Sequence, residues 1–221
     1  MRSLVRPAGP QLTAPTRIAC LPGAYHRGED FLAAGFDAAV RARHLGIDLL
    51  FIDPELEHLT DRSLRDTLRR EIVLPARAQG CSLWLAGISL GGFMALDYAA
   101  CHPADVDGLC LLAPYLGNRM MTGEIARAPG LAAWDPGALA ESDEERRIWR
   151  FVQNRRPDPP VYLGYGREDR FAHAHDLLAQ ALPPACVDVV PGGHDWGTWT
   201  KLWENFLDLR FTGSVHGTRF K

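Results

Sequence analysis

The chain has 221 residues, 24 basic against 27 acidic side chains, a net charge of −3 and a composition that is 47% hydrophobic. That length suits one α/β or all-β domain and allows a single core that needs no disulfide or metal staple. The basic residues are scattered and answered by acids, which argues against nucleic acid or an anionic membrane as partner, because phosphate binding needs clustered positive charge.

Five cysteines (Cys20, Cys81, Cys101, Cys110 and Cys186) form no CxxC pair, and their odd count fits a reducing compartment. The opening MRSLVRPAGPQLTAP carries charges without the apolar stretch of a signal peptide, and no later run is long enough to span a bilayer. A cytoplasmic protein without a membrane partner is the expectation.

In chain order, residues 1–15 are rich in Pro, Gly, Ala and Thr and predict an N-terminal arm rather than a packed element. RIACLPG (17–23) reads as a strand stopped by Pro22-Gly23, followed by a helical pattern through Phe31, Ala34, Val40 and Leu45. IDLLFID (47–53) is a continuous apolar run, as expected of a strand buried on both faces. Residues 60–79 read as a surface helix capped near Thr60 or Asp61. The rhythm repeats with a strand at 82–88, a helix at 90–102 stopped by Pro103, and a strand within 106–114. It breaks over 115–156 and returns with a strand at 160–166, a helix near 172–182, a strand in 186–190 and a last helix from about Thr198 to Leu209. Residues 211–221 read as a loose C-terminal tail. This alternation implies right-handed crossovers and a mostly parallel sheet with helices on both faces, in one domain.

Chemistry concentrates where strand 82–88 meets helix 90–102. GISLGG (87–92) carries the pattern G-x-S-x-G, in which the serine sits on a sharp strand-to-helix turn and the glycines remove side chains that would collide across it. A serine hydroxyl is a weak nucleophile and needs a base, which needs an orienting acid. On such a fold the order is Ser, then Asp or Glu, then His. Asp169, in YGREDRF (165–171), and His194, in GGHDW (192–196), follow successive strands and so lie at the same sheet edge as Ser89. Glu168 is the rival acid, and Asp195 reads as a turn or helix-cap residue. Two N–H donors are needed for the developing oxyanion. One is expected from Leu90, after the nucleophile, and the other from the loop PGAYHRGED (22–30), where Ala24 is the first candidate and Tyr25 the next.

LPGAY, GISLGG, the Asp169 loop and GGHDWGTW together resemble the α/β-hydrolase superfamily, and most closely its small bacterial serine esterases, whose His loop reads G-G-H-x-W with a second Trp nearby, here Trp196 and Trp199. The resemblance covers about residues 17–209 and implies Ser89 as nucleophile, Asp169 as acid and His194 as base. Two features depart from the family pattern. Only sixteen residues precede the strand at 17–21, so at least one of the two antiparallel strands usual there is missing or rudimentary. Pro22-Gly23 also replaces the usual His-Gly of the oxyanion loop.

Residues 115–156 stand where this superfamily places its lid. Met120 and Trp134 there, together with Tyr25, His26, Tyr115 and Trp196, are the expected contacts of an apolar acyl or alcohol group. His173 and His175 are spaced to point to different helix faces, with no Cys or carboxylate pair to complete a metal site, so no metal is expected. The leading expectation is a serine hydrolase cleaving a small-molecule carboxylic ester through an acyl-enzyme, with no cofactor needed. A thioesterase, amidase or carbon–carbon hydrolase on the same triad is the alternative, and a non-catalytic ligand-binding homologue is the alternative from another class. The sequence does not specify an oligomeric state.

Overall fold

In the computed structural model, which describes residues 1–10, 14–55, 63–140, 142–154 and 159–213, the apolar runs pair into one seven-stranded sheet. Its strands are β1 (Arg2–Arg6), β2 (Thr16–Leu21), β3 (Ile47–Asp53), β4 (Ser82–Ile88), β5 (Gly108–Leu112), β6 (Val161–Gly166) and β7 (Val187–Val190). Their order across the sheet is β1-β3-β2-β4-β5-β6-β7. β1 runs antiparallel to β3, and every other pairing is parallel. The central strands are buried along almost their whole length, which is why they read as continuous apolar runs rather than alternating ones.

The helices are α1 (Gly28–Ala33), α2 (Phe36–Ala42), α3 (Leu64–Leu68), α4 (Leu74–Ala78), α5 (Leu90–Cys101), α6 (Arg119–Arg127), α7 (Glu144–Asn154), α8 (Ala172–Ala179) and α9 (Trp196–Leu207). α1 and α2 pack with α9, α3 and α7 with α5, and α6 with α8. Parallel connection sends β2, β4, β6 and β7 to one edge, so the loops holding Ala24, Ser89, Asp169 and His194 all emerge there. No helix among the described residues is long and apolar enough to cross a membrane.

The N-terminal arm is corrected by the structure. Arg2–Arg6 is a strand paired with β3, and Leu4 and Val5 pack against the core. The fully buried carboxylate of Asp48 accepts the N–H groups of Ala8 (2.9 Å) and Ala14 (3.1 Å), which ties the following chain down. A buried carboxylate stands only with such partners. One antiparallel strand is thus present ahead of β2 among the described residues.

α3 runs through a π-helical turn (Arg69–Val73) into α4, with the Leu74 N–H reaching the carbonyl of Arg69. Pro75 lacks an N–H for the usual i→i−4 bond, so the widening falls just ahead of it. The cap expected at Thr60 or Asp61 lies outside the described residues, as does the tail beyond Gly213, while Phe211 and Thr212 belong to a closing helical turn (Asp208–Thr212).

Candidate active site

Ser89 stands between β4 and α5 with φ 51° and ψ −113°, a region L-residues seldom occupy. The turn is held from both sides. The Ser89 N–H donates to the carbonyl of Leu112 (3.0 Å), and the Ser89 carbonyl accepts from Gly92 (3.0 Å), Phe93 (3.2 Å) and Tyr115 (2.8 Å). Two glycines permit it. A Cβ on Gly87 would sit 2.2 Å from the Gly91 oxygen, and one on Gly91 would sit 2.0 Å from the oxygen of Leu21. Neither leaves room for a methyl group. The elbow is therefore wedged against the end of β2, where the loop 22–30 begins.

His194 Nε2 lies 3.0 Å from Ser89 Oγ, and its Nδ1 lies 2.7 Å from Asp169 Oδ2. The other Asp169 oxygen accepts the N–H of Phe171 at 2.8 Å. Burial opposes ionisation of Asp169, but the hydrogen bonds from His194 and the Phe171 N–H outweigh it and hold the carboxyl below its ordinary value. Asp169 is consequently a carboxylate near neutral pH and an acceptor for the His194 Nδ1–H, which turns Nε2 toward the Ser89 hydroxyl. The ring of His194 is gripped edge-on by Phe171 (5.1 Å, 78°) and Trp199 (5.1 Å, 89°).

Glu168 does not reach His194. Its carboxylate accepts the N–H of Gly192 at 2.5 Å, and its own N–H donates to the Gly192 carbonyl at 3.0 Å, so it staples the two loops together. Asp195 caps α9 by accepting the N–H of Thr198 at 3.0 Å.

The loop after β2 turns back with a hydrogen bond from the His26 N–H to the Gly23 carbonyl (3.1 Å), and Tyr25 takes φ 67° at its tip. A Cβ on Gly23 would lie 3.5 Å from Ser89 Cβ and 3.0 Å from His26 Nδ1, so the loop passes directly beside the serine. Among the described residues the N–H groups of Ala24 and Leu90 have no acceptor, and Leu90 opens a helix whose first N–H groups lack intrahelical partners.

The other expected contacts fall in different places. Tyr25 is fully exposed, and Met120 is 80% exposed. His26 and Trp196 form an aromatic wall with Trp199 (His26–Trp196 5.1 Å, Trp196–Trp199 5.3 Å). Tyr115 donates its hydroxyl to Glu145 at 3.0 Å, and burial together with that carboxylate pushes the phenol up to about 12. Trp134 is buried within the segment 115–156 and donates to Glu124 at 3.0 Å, while Trp149 donates to the Leu116 carbonyl at 2.8 Å.

Sequence reasoning gave Phe171 no role and weighed His175 only as a metal ligand. Phe171 is two residues past Asp169, and that spacing alone does not show that its ring meets His194 of the next loop. His175 is fully buried and donates from Nε2 to the Pro114 carbonyl at 3.0 Å. Burial holds its pKa below the ordinary value and so keeps it neutral. No local pattern marks it, because the partner is 61 residues away. His173 is exposed.

Residues 55–207 match the family model described as "Putative esterase". The chain belongs to this esterase family. The esterase is thus a hydrolase of carboxylesterase type, with an α/β-hydrolase sheet. No curated protein matches its sequence. Among solved structures it is similar to a monoacylglycerol lipase of Paleococcus ferrophilus (14% identity, 93% of this chain and 97% of that one, TM-score 0.61). It is equally similar to Est1E of Butyrivibrio proteoclasticus (15%, 93% and 92%, TM-score 0.61). A Staphylococcus aureus fluorophosphonate-binding serine hydrolase also matches (12%, 87% and 82%, TM-score 0.58). At these identities the likeness is one of fold.

Proposed function

We propose that the esterase cleaves small-molecule carboxylic esters with a Ser89–His194–Asp169 triad, by way of an acyl-enzyme. The observation that carries this reading is the unbroken hydrogen-bond chain from Asp169 through His194 to Ser89. Ser89 Oγ attacks the ester carbonyl carbon while its proton passes to His194 Nε2. The tetrahedral oxygen takes its negative charge between the N–H groups of Leu90, next to Ser89, and Ala24, next to the Gly23 that passes it, donors that have no acceptor among the described residues. The C–O bond to the alcohol then breaks, with the proton returned from His194 to the leaving oxygen. In the second half a water gives its proton to His194 and attacks the acyl carbon. The acid departs, and Ser89 recovers its proton. Asp169 stabilises the imidazolium that forms twice in the cycle and fixes which nitrogen faces the serine. Every step is served by side chains and backbone amides named above.

Ser89→Ala tests the reading. Turnover of p-nitrophenyl butyrate is expected to fall by about 10³-fold or more. Turnover equal to that of the parent protein would overturn the assignment.

A further inference from the structure

Arg170, between the acid and Phe171, is unlike most arginines of this protein. Arg43, Arg77, Arg146 and Arg147 are each joined to a carboxylate. Arg170 has none among the described residues, although acids surround it in sequence. Each of those acids is engaged elsewhere: Glu168 by the Gly192 N–H, Asp169 by His194 and the Phe171 N–H, and Asp176 by the Tyr165 hydroxyl at 2.6 Å. The guanidinium instead lies over the Phe171 ring, 4.8 Å from its centroid, and that ring sits edge-on to His194 at 5.1 Å. A guanidinium held over an aromatic face keeps its in-plane N–H fork directed outward and gives up little freedom when it binds. The result is an exposed, pre-positioned fork, without a carboxylate partner among the described residues, one aromatic ring away from His194.

We propose that Arg170 anchors a subsite for a carboxylate group carried by the ester substrate, an inference that rests on the esterase reading above. Its fork matches two carboxylate oxygens, a geometry a lysine cannot offer. Phe171 supplies the apolar floor between that group and the scissile carbonyl. The substrate class is therefore a half-ester of a dicarboxylic acid, or an ester whose alcohol portion bears a carboxylate.

Two substrate pairs test this and separate the two placements of the charge. p-Nitrophenyl hydrogen glutarate against p-nitrophenyl valerate places it on the acyl side, and 4-acetoxybenzoate against phenyl acetate places it on the leaving group. Arg170→Gln is expected to lower the anionic-to-neutral ratio of kcat/KM about tenfold or more in one pair, as loss of a charge-assisted bidentate contact requires. Arg170→Glu should lower it further, and Arg170→Lys should fall between the parent and Gln. Ratios unmoved by all three substitutions in both pairs would overturn the subsite while leaving the esterase reading intact. A parent protein that hydrolyses none of the four esters and resists a fluorophosphonate would overturn the esterase reading, and the subsite with it.

Discussion

Gly91→Ala is the sharpest probe of how the elbow is built. The added Cβ would lie 2.0 Å from the Leu21 oxygen and 2.7 Å from the Pro22 oxygen, both rigid backbone atoms. Ordinary contact begins at 3.4 Å, so relief takes roughly 1.4 Å of separation between the start of α5 and the end of β2. Overpacking of this kind costs about 1–3 kcal/mol, which in a protein of this size lowers Tm by about 2–12 °C. The larger effect should be catalytic. The same movement carries Ser89 and Leu90 away from the loop holding Ala24, and a displacement near 1 Å costs on the order of 10²-fold in rate. The assay is kcat for p-nitrophenyl butyrate per active site titrated with a fluorophosphonate, beside a thermal melt. A variant with the parent kcat and the parent Tm would refute the proposed wedge of elbow against oxyanion loop.

The two neighbouring acids should separate cleanly. Asp169→Asn is expected to lower kcat by about 10⁴-fold through the wrong His194 tautomer. Glu168→Gln keeps an acceptor for the Gly192 N–H and should cost about tenfold or less, so the reverse ranking would reassign the acid. The buried neutral His175 should shape stability against pH. Its folded pKa lies below the ordinary 6.5, so the unfolded chain binds a proton first as pH falls. The contribution is complete above pH 6.5 and is lost at up to about 1.4 kcal/mol per pH unit below it, until the folded group also protonates. Asp169 acts lower still, stabilising above its ordinary 3.8 and losing that stabilisation as pH falls through its depressed folded value. Denaturant melts of His175→Gln between pH 4.5 and 6.5 should show a shallower slope than the parent, and an equal slope would exclude His175 as its source.

The positions of Ser89, Asp169 and His194 were legible because a parallel sheet delivers every other loop to one edge and the elbow needs glycine at fixed spacing. The residues that grip them were not. Phe171, His175 and Glu168 act on partners fixed only when β5, β6 and β7 are laid side by side. β1 was missed for a different reason. Its five residues RSLVR offer two half-buried side chains, and its pairing is made by backbone groups that no side-chain pattern records. Trp134 shows the limit of composition: its ring does line a cavity, but that cavity is walled by Asp135, Pro136, Arg150 and Gln153 and holds none of Ser89, Asp169 and His194, while its N–H is held by Glu124. The Ala8 and Ala14 contacts of Asp48 belong to the same class, since a lone acid within an apolar run does not name the amides it will accept.

The central claim is that Ser89 becomes covalently acylated through His194. The most direct measurement is intact-protein mass after brief reaction with p-nitrophenyl butyrate, followed by peptide mapping. A butyryl adduct on the peptide containing Ser89, absent from Ser89→Ala and strongly reduced in His194→Ala, is the result predicted. An adduct on another residue, or full turnover with Ser89→Ala, would contradict it.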